Sequence, residues 1–180
     1  MKQLLSLLLC LSIIVPSMAK KEQRKQNVFP DGTPISEWFL QTKVVHPDSL
    51  GKKYDLSDYG IESNPHIVQT QKIQKIIDEA AANGGGVIYI PEGIYKSGSL
   101  FFKQGTHLYL SKGATLLGSE NIMDFPLLMT RIEGEYCKYF GALINADGLD
   151  TFTISGKGTI DGNGTPYWKA FRLRREWNPQ

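Results

Sequence analysis

Soft metal ligands are scarce in this 180-residue chain, which has two cysteines, Cys10 and Cys137, and three histidines. That scarcity excludes a Cys/His zinc scaffold and a disulfide framework. Excess charge is scarce too: 20 Lys and Arg stand against 18 Asp and Glu, for a net +2. So even a balance argues against a domain that binds nucleic acid through bulk charge. The one long apolar run, Leu4 to Val15, has 12 residues and is too short to cross a bilayer as a helix. What the chain does have is turn formers: 18 Gly and 9 Pro point to many turns and few long helices. At 41% apolar and 21% charged residues, it can bury a core.

The N-terminus carries a targeting pattern. Lys2 precedes the apolar run, and Ser17-Met18-Ala19 places small residues where a signal peptidase cuts, after Ala19. The expectation is a signal peptide over 1–19 and a secreted or periplasmic mature chain. A lipoprotein reading through Cys10 is disfavoured by the large Leu9 before it. After cleavage only Cys137 remains, so stability must come from packing, and Cys137 itself reads as a small buried apolar residue. Residues 20–54 read as a leader and N-terminal extension. Lys20 to Gln26 is polar, and turn formers (Pro30-Asp31-Gly32, Thr33-Pro34, His46-Pro47) follow around Ser36-Glu37-Trp38-Phe39, which suits one or two helical turns. Residues 55–180 read as the folded domain.

In that domain the spacing of Ile73, Ile76, Ile77 and Ala80 predicts one amphipathic helix. Ser63 or Asn64 would cap it, Pro65 would fit its first turn, and Asn83-Gly84 would close it. After Gly84-Gly85-Gly86 the pattern changes to short strands that can be superposed. Ile88-Tyr89-Ile90 overlays Leu108-Tyr109-Leu110 at an offset of 20. At an offset of 44, Leu108, Leu110, Ser111, Thr115 and Leu116 overlay Phe152, Ile154, Ser155, Thr159 and Ile160. Coils of 20 to 24 residues, with one coil between the second and third segments, would give these offsets. Such a period predicts an all-β solenoid, the first few coils of a right-handed parallel β-helix with the helix as its N-terminal cap. An antiparallel sandwich is the alternative.

These residues resemble a known superfamily. Asp58-Tyr59-Gly60, the helix, Gly84 to Gly93 with Tyr95, Ser97-Gly98-Ser99-Leu100, Leu108-Tyr109-Leu110 and Gly113-Ala114-Thr115-Leu116 look like the opening of the pectate-lyase-like fold. Gly156-Lys157-Gly158-Thr159-Ile160-Asp161-Gly162-Asn163-Gly164 with Tyr167-Trp168 resembles glycoside hydrolase family 28, the polygalacturonases and rhamnogalacturonases. The resemblance spans about residues 55 to 175 and implies an inverting hydrolase of α-linked galacturonan, a monomer acting on pectic polysaccharide without metal or cofactor. It implies three catalytic aspartates, from an Asn-Thr-Asp segment and an Asp-Asp pair, with a Gly-His-Gly histidine and an Arg-Ile-Lys pair. Inverting carboxyls stand about 6.5–9.5 Å apart to admit a water.

None of those motifs is present. There is no Asp-Asp, and His46, His66 and His107 lack the Gly-His-Gly setting. Asn145-Ala146-Asp147-Gly148 resembles the Asn-Thr-Asp segment, yet it precedes Asp161-Gly162, whereas the family's motif follows; Asp147 and Asp161 both read better as turn residues. Arg131-Ile132-Glu133 has Glu where Lys belongs. The catalytic set is therefore expected beyond Gln180, in further coils of a longer enzyme. Lys169, Arg172, Arg174 and Arg175, interleaved with Trp168, Phe171 and Trp177 on a loop or short helix, could contact an anionic sugar chain. Asn163-Gly164-Thr165 is a glycosylation sequon. Gly84-Gly85-Gly86 is a turn and no phosphate loop, because no Gly-Lys-Ser/Thr follows. A pectate lyase is a second enzyme reading, but Asp147, Asp150 and Asp161 are too scattered to hold its Ca²⁺. A non-catalytic β-helix that binds polysaccharide is a third. Export with cleavage after Ala19 predicts a mature chain starting at Lys20, which N-terminal sequencing of secreted material would read directly.

Overall fold

A computed structural model describes residues 28–40 and 43–177. Residues 1–19, expected to be a signal peptide, and the polar leader lie outside the described residues. The chain divides into two units, 1–42 and 43–180. The described part of the first holds a bridge between Val28 and Pro34 and a 3-10 turn, Glu37–Leu40, where helical turns were expected.

The second unit is built from short strands that alternate around one apolar interior. In chain order these are β1 (Lys53–Asp55), β2 (Asn64–Val68), β3 (Gly86–Ile90), β4 (Gly93–Ser97), β5 (Leu100–Phe101), β6 (Thr106–Leu110), β7 (Ala114–Gly118), β8 (Leu127–Ile132), β9 (Glu135–Phe140), β10 (Ile144–Asn145), β11 (Ile154–Gly156) and β12 (Thr159–Asp161). The helix α1 covers Thr70–Ala82 and α2 covers Thr165–Trp177. Three sheets are parallel: β1-β3-β6-β11, β2-β4-β7-β12 and β5-β10. The chain visits them in turn, so each circuit stacks on the one before. The antiparallel ladder β8–β9 is a hairpin outside this stack.

Strand geometry sends alternate residues inward. On β6 and β7 the inward positions are Thr106, Leu108 and Leu110, then Ala114, Leu116 and Gly118. Ile88, Leu108 and Leu116 are fully buried, and α1 adds Ile73, Ile76, Ile77 and Ala80 to the same core. Each such aliphatic side chain contributes about 1.5–3 kcal/mol by leaving water. The helix packs its apolar stripe against β3, β5 and β6. The Tyr59 hydroxyl donates to Glu79 at 2.9 Å and ties the turn after β1 to α1.

The helix ends as expected, with the Gly85 N–H donating to the Ala80 carbonyl, but it starts later. Asn64 and Pro65 lie in β2. A residue before proline is pushed out of the helical region, and here Asn64 pairs with Tyr95 while its side chain accepts the His66 N–H. Helix begins only at Thr70, whose hydroxyl accepts the Gly98 N–H at 2.7 Å.

The offset of 20 is the register of β3 and β6, where Ile88, Tyr89 and Ile90 pair with Leu108, Tyr109 and Leu110. The Tyr89 and Tyr109 rings stack at 5.4 Å in consequence. But β4 and β7 run one residue later, Gly93 pairing with Ala114 rather than Gly113. The offset of 44 holds for β7 and β12, where Thr115 meets Thr159 and Leu116 meets Ile160. It fails for β6 and β11, where Leu108 pairs with Ile154, two residues later than Phe152. No coil intervenes either, because β11 pairs directly on β6 and the extra residues form the hairpin. Cys137 sits on that hairpin, half-buried and opposite Thr130, and so does not belong to the core.

The two-residue shift is absorbed in a tight turn. Lys157 and Gly158 both donate to the Leu110 carbonyl, at 2.9 and 3.2 Å. A Cβ on Gly158 would lie 2.6 Å from the Leu110 Cβ and 2.7 Å from the Ala114 carbonyl oxygen. Gly162, by contrast, has open space around it. Gly158→Ala is therefore expected to destabilise by about 1–3 kcal/mol through overpacking. Gly162→Ala is expected to leave the urea midpoint nearly unchanged, and comparing the two midpoints checks the turn.

Candidate functional site

The tightest polar arrangement outside the core starts from a buried lysine. Tyr95 points inward on β4, so Lys96 points outward. Its side chain is nonetheless only 7% exposed and pairs with the Glu120 carboxylate at 2.5 Å. A desolvated ammonium needs such a partner. The Lys96 hydrogen bond holds the Glu120 carboxyl below its ordinary range, with His66 adding a small push in the same direction.

Asn163 reaches the same place from the last circuit. Its amide donates to the Gly118 carbonyl at 3.1 Å and to Glu120 at 3.5 Å. Its backbone N–H donates to the Asp161 carboxylate at 2.8 Å, closing an Asx turn, and its φ of +50° is one that Asn tolerates well. Tyr167 adds a second tie, its hydroxyl donating to the Ser119 carbonyl at 2.7 Å. Burial, then Asp124 and Glu120, push that phenol up from its ordinary value. Ser119 in turn donates to the Asp124 carboxylate. Residues 161–167 are thus clamped to residues 118–120, and the sequon amide of Asn163 is engaged.

Beyond the clamp, α2 exposes most of its length. Thr165, Trp168, Lys169 and Arg172 share one helix face and line an open concavity of ≈ 430 Å³. Arg175 lies over the Phe171 ring at 5.8 Å, and Trp168 meets Phe171 edge-on at 5.9 Å.

The other residues singled out in the sequence are dispersed. Asp161 ends β12 in the second sheet, and Asp147 is exposed after β10 in the third; Asn145 beside it donates to the Leu100 and Ala142 carbonyls. Arg131 sits in β8 and donates to the Gly134 carbonyl across the hairpin turn that holds Glu133. His46 is exposed and accepts the Asp48 N–H. His66 is exposed on β2. His107 points outward on β6 with a buried, unpartnered Nδ1, and burial pushes its pKa down. Among the described residues, no three or more His, Cys, Asp or Glu are gathered to hold a metal ion. No helix among them is long and apolar enough to cross a membrane. The Lys96–Glu120 pair had no sequence signal, because Lys96 lies in β4 and Glu120 in the bend after β7, 24 residues on, and neither belongs to a motif.

The ion pair makes a signed prediction. Glu120 is stabilised in the charged form on folding, so its contribution is present above its unfolded value near 4.5 and is lost as pH falls through the lower folded value. Glu120→Gln should lower the melting temperature at neutral pH and flatten the acid limb of the melting profile. Lys96→Met added to Glu120→Gln should recover part of the loss, because the unpaired ammonium is gone.

No family model matches the chain. The chain is 34% identical over 152 residues to an exo-poly-alpha-D-galacturonosidase of Dickeya chrysanthemi, covering 80% of this chain and 24% of that enzyme. It is 37% identical over 129 residues to the plasmin and fibronectin-binding protein A of Streptococcus pneumoniae, covering 69% of this chain and 17% of that protein. The chain thus spans about a quarter or less of the curated relatives it matches. Among solved structures, the family 28 exopolygalacturonase of Yersinia enterocolitica superposes with a TM-score of 0.56 at 33% identity, covering 62% of this chain and 21% of that one. The stacked parallel sheets, the Asp161–Gly164 turn and these relatives agree: the chain is related to glycoside hydrolase family 28.

Proposed function

We propose that the chain forms the opening coils of a right-handed parallel β-helix, a solenoid capped by α1, in an exported hydrolase of pectic galacturonan. The 34% identity to a galacturonosidase over 152 residues is the observation that carries this reading. The packing supports it. Ile154 and Ile160 occupy the inward positions paired with Leu108 and Leu116, yet remain 47% and 43% exposed. Edge strands β11 and β12, with these isoleucines below them, suit a further coil stacked in the same register.

In this reading the catalytic aspartates stand on such further coils, and this chain supplies the scaffold. Hydrolysis proceeds with inversion: one carboxylic acid protonates the leaving oxygen, while the opposing carboxylates activate a water held between them. Neither metal nor cofactor takes part, and the enzyme acts as a monomer. The signal-peptide pattern at residues 1–19 directs export to where pectic polymers are found.

The test is an intact mass of the native exported protein together with a reducing-end assay on polygalacturonate. A mass well above 20.1 kDa with release of reducing ends, and no unsaturated product absorbing in the near ultraviolet, is the expected result. A mass matching residues 20–180, with binding to polygalacturonate and no cleavage, would overturn hydrolysis in favour of a non-catalytic binding β-helix.

A further inference from the structure

Positive charge is concentrated in two short segments, the polar leader Lys20 to Gln26, at +3, and one helix. Over Thr165–Trp177, four cations (Lys169, Arg172, Arg174 and Arg175) face the single acid Glu176, giving α2 a charge of +3 in a chain whose net charge is +2. The rest of the protein is therefore slightly acidic, so bulk charge does not explain the patch. None of the described ion pairs uses a cation of α2; these pairs are His46–Asp48, Lys53–Asp55, Lys96–Glu120 and Lys103–Asp78.

Helical spacing sorts these residues onto faces. Tyr167 marks the side held against the coil, through its bond to the Ser119 carbonyl. Trp168, Lys169 and Arg172 occupy the turn-to-turn neighbours on the far side, with Thr165 one turn earlier, and line the open concavity. Trp168 is 63% exposed, which is a large apolar ring left in water. It meets the half-exposed Phe171 ring edge-on at 5.9 Å. The helix start is clamped by Asn163, so the face is presented in a fixed orientation.

An indole plane beside an ammonium and a guanidinium fits a repeating ligand with an apolar ring face and a carboxylate on every ring. We infer that the Trp168–Lys169–Arg172 face of α2 is a binding platform for a polyuronate chain, separate from the catalytic carboxylates. Trp168 stacks on one sugar ring, Arg172 takes a carboxylate through its planar fork, and Lys169 takes the next as a point charge. This inference rests on the pectic reading above and names a subsite for it.

Binding of the full chain to polygalacturonate, to the fully methyl-esterified polymer and to single-stranded DNA tests the platform. The wild type is expected to bind polygalacturonate with a marked salt dependence and to bind the ester at least about tenfold more weakly. Lys169→Ala with Arg172→Ala should weaken polygalacturonate binding about tenfold, Lys169→Glu with Arg172→Glu should abolish it, and Arg172→Lys should retain part of it. All of these residues are exposed, so the melting temperature should not move. Unchanged binding in the charge-reversed variant would overturn the platform while leaving the pectic reading intact. Equal retention on DNA would reduce it to an unspecific cationic patch and overturn it. No binding of the wild type to either galacturonan would overturn the platform, while the pectic reading stands or falls separately, on release of reducing ends by the native exported protein.

Discussion

Everything in the second unit depends on one repeated contact, an inward apolar side chain resting on the equivalent residue of the circuit before it. Ile88 on Leu108 on Ile154, and Tyr95 on Leu116 on Ile160, are two such columns. No circuit could bury these residues alone, because each is only a few residues wide on each side. The parallel ladders then follow, since they are the hydrogen bonding that keeps the columns aligned. The helix α1 belongs to the same arrangement: it adds Ile73, Ile76, Ile77 and Ala80 to the core that these columns form.

Much of this was legible in the sequence, and the exceptions have physical causes. The 20-residue offset could be read because β3 and β6 carry the same alternation of aliphatic, Tyr and aliphatic; one extra residue in the turn after β6 then moves the offset to 21 at β4 and β7. The third segment slipped because the turn at Lys157-Gly158 is two residues shorter than its counterpart between Leu110 and Thr115. Phe152 disguised the slip. It is apolar for another reason, packing on Phe102 at 4.9 Å. The start of α1 was misplaced because Pro65 is compatible with either a first helical turn or an extended strand, and only the pairing with β4 decides between them.

The candidate site was legible in part for the same reason. The basic and aromatic composition of α2 is local, so the sequence shows it. The clamp beneath α2 joins Lys96, Glu120, Asn163 and Tyr167 across three circuits, and that proximity exists only once the ladders are stacked. The Asp-Gly-Asn-Gly turn had a family look, and the structure adds what it does physically: it fastens the last described circuit to the one before and sets the direction in which α2 leaves. An aspartate and an asparagine that could be mistaken for reacting groups are instead occupied with backbone.

The hairpin β8–β9 bears on how the chain measures distance. From Leu100 to Ile144 the polypeptide advances one strand spacing, about 4.8 Å, and so does the much shorter path from Ile88 to Leu108. The detour leaves both flanking ladders in step. That corner of the fold therefore behaves as a free port: segments can be lengthened, shortened or exchanged there while the columns of stacked side chains remain in place.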